Sequence, residues 1–413
     1  MRISTAFDVS KNFDLVIIGG GCSGLSLAME LCRYFDKAIP FPRTLIIEPR
    51  SHYINDRSWC FWDLDDQIDT ELVSKSWQVW EFSSESISHK HSSLEGWRYH
   101  HVPSSNFYDK AEKIISKNPH INLQKNSRVV YESYSPDHIG LTLEFYDRYK
   151  HTESLEITTN LVVDTRIPPE VDFSVATLKQ IFYGFEIKTK NNHKLKDNAM
   201  VMSNMRVDAD GFLFDYILPL GHDSLLIELT RFAVTSIHPK TLRTNALELV
   251  NKVCGDSAYK IVREESGLIP MGIPRPEKIK DHRIIFAGLG AGAARPSTGY
   301  AFRRIQNWAK ICAKEIISKG KAANNLPDKN TLKWMDSIFL RTIRKNPKIA
   351  PMLFMKLAQN VQADVLVRFL ADKPNKSDLA SIIFSLPIMP LMSSAFMEFF
   401  AQIQATIRNK KCL

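Results

Sequence analysis

The stretch Leu225-Leu226-Ile227-Glu228-Leu229 places one carboxyl inside an otherwise aliphatic run. A carboxyl among such neighbours is desolvated, which disfavours its charged form and raises its pKa towards useful acid and base behaviour. Glu228 is therefore the candidate catalytic residue; a solvent-facing glutamate on a one-sided strand is the simpler reading. A second pattern is Gly19-Gly20-Gly21-Cys22-Ser23-Gly24 near the N-terminus. In G-x-G-x-x-G the first glycine permits a tight turn, the second lets backbone approach a pyrophosphate, and the third lets helix pack close to strand. Glu48 ends the next apolar run, where an acid accepts hydrogen bonds from a ribose. The third pattern is "NDRSWCFW" from Asn55, which sets Trp59, Phe61 and Trp62 beside charge. Those aromatics suit either a core or a binding wall.

Such residues need particular elements around them. "DLVII" at 14–18 is a short β-branched run, and "LSLAMELCRYF" after the glycines has helical apolar spacing. The unpaired N–H groups and dipole of that helix N-terminus, at Cys22 and Ser23, suit an anion. "RTLIIEP" is the second strand, closing on Glu48. This fingerprint alone does not separate FAD from NAD; its place at the start of a long chain, with no second copy, favours FAD. "NSRVVYESY", centred on Val129 and Val130, and "LTLEFYDRY" alternate like hairpin strands, and "ESLEITTNLVVDTR" returns to the nucleotide domain. From about Leu178 to Pro276 the chain is strand-rich and suited to roof a long apolar ligand. "HRIIFAGLGAGAARPSTGYAFRRIQNWAKIC" reads as strand, glycine turn and helix, a second backbone turn facing the cofactor. The expected cofactor contacts are Gly19, Gly21, Cys22, Ser23, Gly24, Glu48, Arg57, Val129, Gly288, Gly292, Thr298 and Gly299. The fold class is α/β: a Rossmann-like FAD-binding domain over 1–170 and 281–325, a β-rich substrate domain over 171–280, and a helical C-terminal region over 326–413.

A chain of 413 residues favours two associated domains over one core. Hydrophobic and charged contents of 44% and 24% are those of a globular protein. The net charge of +9 is scattered without an RNP or helix-turn-helix pattern, so nucleic acid is not an expected partner. The six cysteines lack metal-ligand spacing and read as reduced thiols of a cytosolic protein; no metal is expected. No export signal opens the chain. The apolar "LASIIFSLPIMPLMSSAFMEFFAQI" from Leu379 is broken by Pro387 and Pro390, which makes it a poor spanning helix. A core hairpin and a monotopic membrane patch are equal readings of its residues.

In order along the chain, "DLVIIGGGCSGLSLA", "NDRSWCFW", "VVDTR", "QIFYGFEI", "YILPLG" with "LLIELTRFA", "GLIPMG" and "AGLGAGAARPSTGYAFRRIQ" resemble the bacterial lycopene cyclases. These are FAD-containing enzymes related to the plant lycopene β- and ε-cyclases, and the resemblance runs over nearly the whole chain. It implies protonation of the linear ψ-end of lycopene, ring closure of the cation and loss of a ring proton to give a β-ionone end, with no net redox change. It implies reduced FAD as the active form and NAD(P)H as reductant. It places Glu228 where relatives carry an essential acid in Glu-(Glu, Asp or Tyr)-Thr. Trp59, Phe61 and Trp62 would line or support the polyene site, and Asn55, Asp56 and Arg57 would brace the loop. A lipid-borne carotenoid and a basic chain favour peripheral attachment to the cytoplasmic membrane face. Two departures stand out: Leu229 replaces the second acid, and Asn204 in "MSNMRVDADG" replaces the aspartate of Met-Asp-aromatic-Arg. The alternatives are an FAD-dependent monooxygenase or other flavoprotein oxidoreductase acting on an apolar isoprenoid, and an inactive FAD-binding carotenoid carrier.

Overall fold

The computed structural model describes residues 11–36, 40–85, 87–146, 152–167, 173–235, 237–273, 281–325 and 328–398. Cys412 and the end of the C-terminal apolar stretch lie outside them. Asn12–Ile18 is the hub of the first sheet, pairing in parallel with Thr44–Ile47 on one side and with Thr152–Asp164 on the other. Ile121–Gln124 extends the sheet beyond Thr44–Ile47, and Ile284–Phe286 joins the C-terminal end of Thr152–Asp164. Ser127–Tyr134 and Ile139–Tyr146 form an antiparallel ladder onto the first half of Thr152–Asp164. Both faces of the parallel part are covered, which explains its unbroken apolar runs. Leu15 and Ile17 pack with the helices Cys22–Cys32 and Phe302–Lys319; Val16 and Ile18 pack on the opposite face with Leu141 and Leu143 of the ladder.

The second sheet runs in the order Tyr259–Met271, Leu178–Thr189, Ser224–Ala233, Gly211–Pro219, Ala199–Asp208, Val79–Ser84, Ile87–Ser92. Its last two strands come from the first 170 residues, so the sheet reaches back into the stretch expected to belong wholly to the nucleotide domain. Strand alternation divides its residues. Leu225, Ile227 and Leu229 face the helix Arg243–Cys254, whereas Leu226 and Phe232 face the C-terminal helices. A third, antiparallel sheet of Ser58–Leu64, Trp97–Pro103 and Lys75–Trp77 closes that second face with Trp62, Trp77 and Tyr99. After residue 328 the described chain is helical: Asn330–Lys345, Ala350–Asn360, Ala363–Leu370, Lys376–Ser385 and Ile388–Glu398. Buried Arg295 ties these helices to the second glycine turn, through both carboxylate oxygens of Asp336 at 3.1 Å.

Candidate active site

The glycine turn has the geometry that its three positions require. Gly19 has φ +101°, and a Cβ there would stand 2.3 Å from Thr165 Oγ1. A Cβ on Gly24 would meet the Gly19 carbonyl oxygen at 2.0 Å, so helix and strand approach as only glycine allows. Nothing lies within 4 Å of a Cβ on Gly21, whose backbone faces open space. The helix that starts at Cys22 has no side-chain cap and no acid in its first turn. Burial pushes the Cys22 thiol up to about 12, so no charge there opposes an anion. Gly288, at φ +84°, brings the second turn to the first: its Cβ would lie 3.1 Å from Ser23 Oγ. This cradle fits a dinucleotide pyrophosphate.

Glu48 is buried and accepts hydrogen bonds from the Gly20 N–H at 2.8 Å and from Arg50 Nε at 2.7 Å. Arg50 lies over the rings of Tyr53 and Tyr108, at 4.8 and 5.1 Å from their centroids. Sequence reasoning missed these three residues; the basic residue two places after Glu48 was the available signal. Val129 packs its side chain into the core on the face of the sheet opposite the helix Cys22–Cys32. Gly292 ends a short 3₁₀ turn at φ +78° and lines a separate cleft with Arg304 and Asn325. Arg57, Thr298 and Gly299 open instead onto a larger cavity, which runs from Leu289 of the second glycine turn to Glu228.

That cavity, of about 310 Å³, lies between the second and third sheets, the second glycine turn and the C-terminal helices. Trp59, Trp62, Tyr216 and Phe214 give it an aromatic wall, and Glu228 and Glu265 give it carboxyls. Trp59 stacks on Phe302 at 5.2 Å, and Phe61 stacks on the same ring from behind at 5.4 Å. Trp59 and Trp62 thus line the cavity and Phe61 supports it. Ser104 Oγ holds the preceding loop, accepting from the N–H groups of Asp56 at 2.9 Å and Arg57 at 3.2 Å and donating to Asn55 Oδ1 at 3.3 Å.

Glu228 lies opposite Gly184 on one side and Tyr216 on the other. A Cβ at Gly184 would be 2.3 Å from Glu228 Cγ, so the carboxyl reaches across bare backbone. Beyond Gly184 in the sheet register stands Glu265, whose charge acts on the Glu228 carboxyl. Burial first, and the Glu265 charge second, hold the Glu228 pKa far above the usual carboxylate range. Arg263 donates to Glu265 Oε2 at 2.7 Å, to Glu186 Oε2 at 2.9 Å and to Ser58 Oγ at 2.9 Å. Gly184 within an apolar strand and the Arg-Glu-Glu of "VREESG" were the sequence signals for this cluster.

The two departures from the lycopene cyclase pattern lie off the cavity. Leu229 is buried on the opposite face, beneath the helix Arg243–Cys254, as its adjacency to an inward Glu228 demands. Asn204 donates from Nδ2 to Asp215 at 2.8 Å, and Arg206 holds the other oxygen of the same carboxylate at 2.7 Å. A second, almost wholly apolar cavity of about 230 Å³ shares Thr298, Phe354, Leu357 and Phe369 with the first and ends on Ile383, Ile388 and Met392. Among the described residues no single helix is long and apolar enough to cross a membrane. Lys376–Ser385 and Ile388–Glu398 form an apolar pair bent by 117°. Phe384 and Met389 on that pair are 80% and 81% exposed.

Solved structures share this architecture. A geranylgeranyl bacteriochlorophyll reductase-like protein of Thermoplasma acidophilum superposes with a TM-score of 0.60 at 12% identity, over 93% of this chain and 98% of that one. A flavoprotein/dehydrogenase of Cytophaga hutchinsonii gives 0.58 at 11% identity, over 95% and 100%. The p-nitrophenol 4-monooxygenase of Pseudomonas putida gives 0.56 at 12% identity, over 92% and 99%. At these identities the likeness is one of fold, and the fold is a flavoprotein's. The lycopene beta-cyclase of Pseudescherichia vulneris is 24% identical over 309 residues, 70% of each chain. Residues 14–396 match the family described as lycopene cyclase protein, and the chain belongs to that family.

Proposed function

We propose that the protein closes the linear ψ-ends of lycopene into β-ionone rings by acid-initiated cyclisation with no net redox change. The observation that carries this reading is the buried Glu228 carboxyl, its pKa raised by burial, in an aromatic cavity that reaches the second glycine turn. Gly19, Gly21, Cys22, Ser23, Gly24, Glu48, Arg57, Gly288, Thr298 and Gly299 would hold FAD, with backbone alone contributing at Val129. When bound and kept reduced by NAD(P)H, FAD would supply electron density beside a developing cation.

The remaining work belongs to the chain. Glu228 gives its proton to the inner carbon of the terminal double bond: the O–H bond breaks, a C–H bond forms, and the charge falls on the dimethyl-substituted carbon as a tertiary cation. Trp59, Trp62 and Tyr216 offer ring faces to that cation. Apolar walls exclude the water that would quench it. After the internal double bond closes the ring, the Glu228 carboxylate takes back one ring proton, so the acid is regenerated. The second cavity suits the rest of the polyene. Its end on the exposed apolar helix pair supports loading from lipid by a protein attached to the cytoplasmic membrane face.

Expression in cells that accumulate lycopene, followed by product chromatography, tests the reading. Cyclised carotenoid is expected. An oxygenated product would favour the monooxygenase alternative, and unchanged lycopene beside a folded, flavin-loaded protein would overturn the proposal.

A further inference from the structure

Glu265 is 5% exposed, and its Oε1 is buried without a partner among the donors fixed in the structure. Its other oxygen is bound by Arg263. A buried acceptor left unpaired is destabilising, so a proton on the neighbouring carboxyl is the natural donor. Glu228 reaches it because the residue between them in the sheet register is Gly184, where any side chain would collide with Glu228 Cγ. Arg263, itself anchored on Glu186 and Ser58, neutralises Glu265 and leaves the proton on Glu228, the 9% exposed member.

We propose that Glu265 is the positioning partner of Glu228: the two carboxyls hold one proton between them over Gly184, and Arg263 fixes the charge on Glu265 so that Glu228 presents the proton to the cavity. This rests on the cyclase reading and deepens it. When Glu228 has given up its proton, two carboxylates stand beside each other with the Arg263 guanidinium bound to Glu265 alone of the pair. That arrangement makes Glu228 a strong base and drives return of the ring proton to it, closing the cycle with no net proton uptake. Other charged or titratable groups near the pair are Arg57, Glu186, Cys60, Tyr99, Tyr216, Tyr300 and His101. Burial keeps the thiol and phenols protonated and lowers His101 to about 4, so none of these five changes charge near neutral pH.

Infrared spectroscopy of the folded protein without substrate tests the sharing directly. The wild type is expected to show a carboxylic-acid C=O band at pH 7 that Glu228→Gln removes. In Glu265→Gln, which leaves Glu228 intact, the pH at which the band disappears is expected to fall by about 1–3 units, because the like-charged neighbour is gone and Arg263 is freed. The alkaline limb of kcat is expected to move down by the same amount with KM little changed, and Glu265→Asp to restore most of it. Gly184→Ala, which keeps both carboxyls but wedges them apart, is expected to shift the band's titration the same way and covers the case in which Glu265→Gln does not fold. A band titration and limb unchanged in Glu265→Gln and Gly184→Ala would overturn the proposal and reduce Glu265 to a counter-ion of Arg263. Because the infrared measurement needs no turnover, it separates failure of this proposal from failure of the cyclase reading.

Discussion

The hydroxyls of Tyr216 and Tyr99 lie 2.8 Å apart. Tyr216 is the cross-strand neighbour of Glu228, and Tyr99 is that of Trp62. One buried hydrogen bond thus joins the wall that carries the acid to the wall that carries the aromatic rings. Burial holds both phenols far above their usual pKa, so the link is a neutral one across the working pH range. Tyr216→Phe is expected to cost about 1 kcal/mol, because Tyr99 keeps only a 3.5 Å contact with Tyr300. Urea unfolding measures this; a stability equal to wild type would show that the two walls are held by packing alone.

Gly21 and Gly24 separate cofactor binding from folding. A Cβ at Gly21 meets no atom within 4 Å, so the fold of Gly21→Val is expected to survive while its branched side chain occupies the open space beside the turn and FAD is lost. Gly24→Ala drives a methyl into the Gly19 carbonyl and is expected to destabilise the fold by about 1–3 kcal/mol or more. Flavin absorbance and thermal unfolding of the two variants check both statements. FAD retained by a folded Gly21→Val protein would contradict the assignment of the cradle.

The helix pair ending in Ile388–Glu398 gives a membrane prediction. Withdrawal of a phenylalanine from an apolar environment costs roughly 1.5–3 kcal/mol, or about 10- to 100-fold in partitioning. Phe384→Asp and Met389→Asp are each expected to weaken co-flotation with anionic vesicles by at least about tenfold, with secondary structure unchanged. Equal flotation of wild type and both variants would place the contact elsewhere.

Legibility in the sequence followed periodicity. The parallel strands, the glycine turn and the β-rich unit were readable because apolar runs and alternation report burial locally. Long-range pairing was not: nothing in "VWEFSS" announces that it adds to a sheet whose other main strands begin at Leu178. Glu228 was legible because a carboxyl among aliphatic residues breaks a pattern. Glu265 was not, because it stands among charged residues and acquires meaning only through the register over Gly184. Leu229 looked like a lost catalytic acid in one dimension; strand alternation turns it to the other face of the sheet.

The central claim is that the Glu228 carboxyl delivers the proton that starts ring closure. Its most direct test is the rate of lycopene conversion by Glu228→Gln with chemically reduced flavin, which removes any dependence on NAD(P)H oxidation. Gln keeps the size of the side chain but has no acidic proton and no charge to gain. The expected result is a folded, FAD-loaded protein whose cyclisation rate falls by about 2 to 4 orders of magnitude. Conversion at the wild-type rate under those conditions would contradict the account.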